Sequence, residues 1–213
     1  MNETVLYDYW RSSAAYRLRI AMNLAGLPYR SVAVDLLKGE HKSAEYLSRN
    51  PQGLVPVLEI DGHSMTQSLA ILEYLNETRD MGLLSSDPAN AAKERAIAHA
   101  IAVDIHPVCN VSVAAYAVQQ SGREETRTNW MRRFIAPGLC AVDALLNERE
   151  KTPFAHGSHP GLIDICIIPQ VYNAQRWGVD FDTLLNIKRI VETCSAHPSF
   201  VAAHPDSVQP DQA

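Results

Sequence analysis

Tyr9-Trp10-Arg11-Ser12-Ser13-Ala14-Ala15-Tyr16-Arg17-Leu18-Arg19-Ile20-Ala21-Met22 turns a strand into a helix. Before it, Val5-Leu6-Tyr7-Asp8-Tyr9-Trp10 is aromatic and aliphatic, the composition of a pleated surface. After it, Leu18, Ala21, Leu24 and Ala25 recur at helical spacing, and Gly26-Leu27-Pro28 supplies a helix stop. The two serines therefore stand at a helix start, where the first amide N–H groups lack intrahelical partners and the macrodipole is positive. Either one serine is a plain N-cap, contributing about 1 kcal/mol, or the pair receives an anion. The stretch alone leaves both readings open.

Downstream, Tyr29 to Leu36 alternates, with Val32, Val34 and Leu36 on one face, the period of a half-buried strand. A helix between two such strands makes their pairing parallel and the crossover right-handed. Lys38 to Arg49 is polar, with a short helical pattern around Ala44, Tyr46 and Leu47. Asp61-Gly62 then joins two extended runs as a hairpin. Pro56 removes a ladder donor at the start of the first run and keeps Val55 extended. This either marks a tolerant edge strand or frees the Val55 N–H and C=O for a partner outside the sheet. Thr66-Gln67-Ser68 opens a further helix with Leu69, Ile71, Leu72 and Leu75 as its apolar face, a second helix start suited to an anion.

The order βαβαββα is that of an α+β, thioredoxin-like domain, expected over residues 1–83. Its first strand-to-helix turn holds Ser12-Ser13-Ala14-Ala15 rather than a Cys pair, which excludes thiol redox chemistry there. After a linker at Met81 to Pro88 the strand signal stops, and residues 88–213 are expected to form an all-α domain. Helices are anticipated from Ala92 to Ile105, with a kink or break at Pro107, and over 114–120, 125–147, 163–177 and 184–195.

At 213 residues and 46% apolar, the chain has ample material for a buried core. A formal charge of −5 without a Lys/Arg cluster leaves no electrostatic footprint for nucleic acid or an anionic membrane. No charge-flanked apolar run reads as a signal peptide or a spanning helix, so the expectation is a cytoplasmic protein without a membrane or nucleic-acid partner. Cys109, Cys140, Cys166 and Cys194 are scattered through apolar helical patterns and read as reduced core thiols. His156 and His159 form an H-x-x-H in a Pro/Gly-rich loop with no acidic or Cys neighbour in sequence, and no metal is expected.

A thioredoxin-like domain followed by a helical one resembles a cytosolic glutathione transferase. Several segments sharpen the resemblance to the zeta class, which includes maleylacetoacetate and maleylpyruvate isomerases. They are Tyr9-Trp10-Arg11-Ser12-Ser13 with Arg17-Leu18-Arg19-Ile20-Ala21, Asn50-Pro51-Gln52, Val55-Pro56, Gln67-Ser68-Leu69-Ala70-Ile71, Asp104-Ile105-His106-Pro107, Pro169-Gln170-Val171 and His204-Pro205-Asp206. The resemblance implies glutathione as cofactor and a homodimer. It implies that the Val55-Pro56 bond is cis and that the Val55 backbone pairs with the cysteinyl part of glutathione. Gln67 and Ser68 would receive the γ-glutamyl carboxylate, and His106 and Asn110 would lie near the glycyl end. Ser12, with Ser13 and Arg11, would form the catalytic group, Ser12 beside the sulfur. Arg11 and Arg176 would face the carboxylates of a small substrate.

Three departures stand out. Ala14 replaces the Cys usual in maleylacetoacetate isomerases, and Asn110-Val111-Ser112-Val113 lacks the arginine that isomerases commonly carry there. Gly161 replaces the Ser/Thr that usually caps the helix holding Asp164, with some loss of local stability expected. The leading expectation is a glutathione-dependent cis–trans isomerase of a small dicarboxylate in aromatic catabolism. The alternatives are a transferase acting on general electrophiles such as α-haloacids, and a non-catalytic binding module, which would have no use for Ser12, Val55-Pro56, Gln67 and Ser68 together.

Overall fold

The computed structural model describes residues 3–210 and falls into two compact units, divided between Met81 and Gly82. The segment from His197 onward groups with the first unit, although its sequence was expected in the helical domain.

In the first unit the sheet order is β2-β1-β3-β4. Strand β1 (Val5–Asp8) pairs parallel with β2 (Arg30–Ala33) and antiparallel with β3 (Val57–Ile60), which pairs antiparallel with β4 (His63–Thr66). The β3–β4 turn has φ 56° at Asp61 and φ 82° at Gly62, the two positive angles a tight right-twisted hairpin demands. Strand β2 is shorter and more exposed than its alternation suggests, because it is an edge strand. Val34, just past it, is the residue that reaches the core, packed with Tyr46 and Val57. Between β2 and β3 lie a 3-10 turn at Glu40–Lys42 and a short helix, α2 (Ala44–Arg49), capped by Ser43.

Helix α1 (Ser13–Leu24) is buried at every residue from Ser13 to Met22, charged Arg17 and Arg19 included. It packs on both α3 (Ser68–Arg79) and α10 (Pro198–Ala203), so no face is left for solvent and its pattern is only weakly amphipathic. A last short helix, α11 (Pro205–Val208), follows.

The second unit is helical. Asp87 caps α4 (Pro88–His99), which continues through a π-helical stretch at Ala100–Ile105 into α5 (His106–Val108). The expected effect of Pro107 is thus a change of winding: without an N–H it cannot close the usual ladder, and the chain widens ahead of it. The break comes later, at Asn110, which caps α6 (Val111–Ser121). The sequence offered no spanning run; by length and composition alone Pro88–Ser121, interrupted at Asn110, passes the test for one, with mean hydropathy 1.4 and 22% of that window buried, a test that core helices of soluble proteins also pass. Within the unit this run packs on α7 (Glu125–Leu146) and α8 (Leu162–Arg176). Helix α9 (Leu185–Ser195) completes it.

Cys109, Cys166 and Cys194 are buried, and burial pushes the Cys109 thiol up to about 11. Cys140 is exposed on α7, not in the core as expected: it sits between the buried turns of Leu139 and Val142.

Candidate active site

The register places the predicted residues of the first unit together. Tyr7 pairs with Val57, and Val57 with Thr66. The residues leaving β1 toward Ser12, those entering β3 from Val55, and Gln67-Ser68 leaving β4 therefore emerge at one end of the sheet. Two helices, α1 and α3, start there.

At the first helix start, Ser12 N–H donates to the Tyr9 carbonyl at 2.7 Å, and Ser12 Oγ accepts from Ala15 N–H at 3.2 Å. Ser12 is thus the N-cap, the first of the two readings of the serine: its oxygen caps the helix, and a hydroxyl that accepts still has its O–H proton to donate. Ser13, the first residue of α1, is buried. The Arg11 guanidinium lies 4.1 Å from the Trp10 ring centroid, and no carboxylate pairs with it among the described residues. It faces a cavity of about 360 Å³ whose walls include Trp10, Val34, Leu37, Lys38 and Val208. The neighbouring Lys38 is already held by Asp35 at 3.5 Å.

The Val55–Pro56 bond is cis, as the resemblance implies, and Val55 precedes the first residue of β3, so its backbone lies outside the ladder. The approach to it is pinned: Asn50 Nδ2 and the Tyr46 hydroxyl donate to the Leu54 carbonyl at 2.7 and 2.9 Å. Burial holds the Tyr46 hydroxyl well above its ordinary value. Gly53, at φ 60°, has no room for a side chain, since a Cβ would stand 2.9 Å from the His41 carbonyl. At the second helix start, Gln67 caps α3 with φ 68°, a conformation costing about 1–3 kcal/mol outside glycine. Its amide donates to Gln52 Oε1 at 2.8 Å. Ser68 is buried, and its Oγ accepts from Arg17 Nη1 at 3.1 Å.

Four residues here were given no role in the sequence reading. Arg17 and Gln52 are the partners of Ser68 and Gln67. His41 and Lys42 flank Gly53, with Lys42 Nζ 3.4 Å from the Gly53 carbonyl. The His41 Nδ1 is buried without a hydrogen-bond partner. Only the adjacency of His41 and Lys42 in an otherwise unremarkable polar loop hinted at a cationic spot.

In the second unit, His106 opens α5 and Asn110 follows four residues later, its Oδ1 accepting from Ser112 N–H and Ser112 Oγ at 3.1 Å each. Arg176 lies on a different helix, in the last turn of α8, about 6 Å from the Tyr172 and Trp177 rings (6.0 and 5.9 Å). The H-x-x-H does acquire an acidic partner, contrary to its sequence surroundings. Glu94 of α4 accepts from His156 Nδ1 at 3.0 Å, from Arg149 at 2.7 Å and from Ser85 N–H at 2.7 Å. The carboxylate is consumed by these donors, and among the described residues no three potential ligands converge on one point. Asp164 accepts from the Gly161 and Ala155 amides at 2.9 and 2.7 Å, keeping its half of the cap. The missing hydroxyl has a steric cause, because a Cβ at Gly161 would stand 2.5 Å from the His156 Cβ.

Residues 3–77 match the family model for the glutathione S-transferase N-terminal domain. The chain is 52% identical to the maleylacetoacetate isomerase of Rhizobium meliloti (strain 1021), over 98% of this chain and 99% of that one. The holo structure of maleylpyruvate isomerase, a bacterial glutathione S-transferase in the zeta class, superposes with a TM-score of 0.93 at 36% identity, covering 98% of this chain and 100% of that one. The chain belongs to the zeta-class glutathione S-transferases. Maleylacetoacetate isomerase from Anaeromyxobacter dehalogenans 2CP-1, solved with glutathione in its active site, superposes with a TM-score of 0.87 at 39% identity, over 99% and 98% of the two chains.

Proposed function

We propose that this protein is a glutathione-dependent cis–trans isomerase of a small dicarboxylate, maleylacetoacetate or maleylpyruvate, in aromatic catabolism. The observation that supports it best is the gathering, at one end of the sheet, of two helix starts, a backbone edge at Val55 and an arginine, Arg11, that has no carboxylate partner among the described residues. That set fits glutathione: anionic groups at the helix starts, a peptide-like partner along Val55, and a carboxylate substrate against Arg11.

When bound, glutathione supplies a thiolate that adds to a double bond conjugated to a carbonyl and leaves after rotation about the resulting single bond. The chain's part is to make the thiolate available and to hold the substrate. A free thiol has a pKa of about 8.5, so the Ser12 O–H and the α1 start, by favouring the anion, raise its share at neutral pH. Gln67 and Ser68, at the start of α3, hold the γ-glutamyl carboxylate, with His106 and Asn110 toward the glycyl end. Arg11 and Arg176 bind the substrate carboxylates, and Ser13, buried, supports the turn. We place the protein in the cytosol as a homodimer, a role suited to the exposed apolar residues Val103, Val111 and Tyr116.

A second reading, transfer of glutathione to general electrophiles such as α-haloacids, is favoured by one feature. Ser112 stands where isomerases commonly carry an arginine, and its hydroxyl is engaged by Asn110. Ultraviolet absorbance of maleylpyruvate and of maleylacetoacetate, followed with and without glutathione, separates the two. Glutathione-dependent conversion of either supports the isomerase; retention on a glutathione matrix without conversion of either refutes it in favour of the transferase.

A further inference from the structure

Beneath the site lies a heavily bonded side chain to which the proposed reaction assigns no role. Arg19 is 1% exposed, in the middle of α1. Its Nη1 donates to both Asp8 oxygens at 2.8 and 2.7 Å, its Nη2 to the Trp10 carbonyl at 2.9 Å, and its Nε to the Ala203 carbonyl at 3.0 Å. The acceptors come from three parts of the chain: the end of β1, the turn before Ser12, and the end of α10. A guanidinium presents planar, diverging N–H groups that satisfy all of them at once, whereas an ammonium is a compact point charge.

The turn itself is short, and three successive carbonyls leading into it each have an anchor. The Asp8 carbonyl accepts from Val34 N–H at 2.7 Å, the Tyr9 carbonyl from Ser12 N–H at 2.7 Å, and the Trp10 carbonyl from Arg19. The Trp10–Arg11 peptide plane fixes where Arg11 leaves the backbone and where Ser12 begins the helix. Arg19 is therefore the anchor that orients this plane. The α10 end is tied in at a further point, where Asn23 Nδ2 donates to the Ser199 carbonyl at 3.1 Å.

We propose that Arg19 is a positioning residue of the glutathione-dependent reaction, holding the Trp10–Ser12 turn in register with α10 through the Trp10 and Ala203 carbonyls. The proposal rests on the isomerase reading above. It separates two jobs within one site: residues at the α3 start and Val55 set glutathione affinity, and Arg19 sets the aim of the Ser12 hydroxyl and the Arg11 side chain.

The test uses the full chain with two variants. Arg19→Lys keeps the charge and loses the fork. The paired Asp8→Asn/Arg19→Gln removes both charges together and leaves a neutral amide pair in their place, since a buried partner left alone is far more disruptive than a pair replaced as a unit. Three quantities are read on each: the glutathione dissociation constant by calorimetry, the thiol pKa of bound glutathione by thiolate absorbance, and kcat. The paired variant is expected to keep glutathione affinity within about threefold, while kcat falls about tenfold or more and the thiol pKa moves back toward its free value. Arg19→Lys, where it folds, is expected to fall between the paired variant and wild type. A folded paired variant with wild-type kcat and thiol pKa overturns the proposal and leaves Arg19 a stabilising residue only. A parallel loss of affinity and kcat does the same, since it marks general damage. A wild-type protein that binds glutathione without lowering its thiol pKa, and converts neither substrate, overturns the isomerase reading and the role of Arg19 with it.

Discussion

Replacing Ser68 by Ala tests the role proposed for it at the carboxylate end of glutathione. The Ser68 oxygen accepts from Arg17 Nη1 at 3.1 Å, and a guanidinium has no acceptor to offer in return. The hydroxyl proton is therefore directed elsewhere, and on the proposed reading it meets the γ-glutamyl carboxylate at the start of α3. Ser68→Ala deletes one hydrogen bond to a charged ligand, about 1.5–3 kcal/mol, which at about 1.4 kcal/mol per decade weakens glutathione about 10- to 150-fold. The amide N–H groups of α3 and the whole Ser12 turn stay in place, so kcat at saturating glutathione is expected to remain within about threefold. Calorimetric titration with glutathione, paired with kcat at saturation, reads both numbers. A dissociation constant within threefold of wild type would refute the reasoning, because it would mean that the hydroxyl held in place by Arg17 does not meet the ligand.

Four other perturbations follow from the same geometry. Ser12→Ala removes both cap and donor: kcat is expected to fall about 10- to 150-fold with glutathione affinity little changed, and stability to drop by about 1 kcal/mol in urea titration. Arg11→Met is expected to raise KM for the dicarboxylate about tenfold or more while leaving the glutathione dissociation constant within about twofold, checked by steady-state kinetics and calorimetry. Glu94→Gln breaks a carboxylate whose side chain is 2% exposed and shared by Arg149, His156 and Ser85; a loss of about 3 kcal/mol, or about 6–12 °C in Tm, is expected by scanning calorimetry. His41 is held below its ordinary value by burial and by the Lys42 charge, so below pH 6.5 the unfolded chain binds the proton first and stability rises with pH through that window. His41→Gln is expected to flatten that part of the Tm-versus-pH curve.

The first unit was legible in the sequence because its elements are each announced locally. The Asp61-Gly62 pair dictates its turn through two positive φ angles, Pro56 ends the ladder, and serines stand at two helix starts. The partners were not legible, because they are set by packing between distant elements. Nothing in the spacing of Arg17 and Arg19 along one helix tells that the first reaches Ser68 and the second Asp8, Trp10 and Ala203. Buried charge at successive odd positions contradicts an amphipathic reading, and only a helix covered on both sides explains it. The same holds for Glu94, which lies 62 residues from His156 in sequence yet is its partner. Cys140 shows the opposite failure: an apolar neighbourhood in sequence does not say which side of a helix a residue occupies.

The close approach of Gly161 to His156 constrains how this chain is able to change. A serine at position 161 would restore the cap hydroxyl, but its Cβ would meet the His156 Cβ at 2.5 Å, and trimming the ring beyond Cβ does not remove that atom. The gain at one position is thus conditional on a shift of the backbone at the other, where Glu94 holds the histidine in place. The two sites are epistatic, and a stabilised descendant has to loosen the His156–Glu94 link before the hydroxyl is of any benefit.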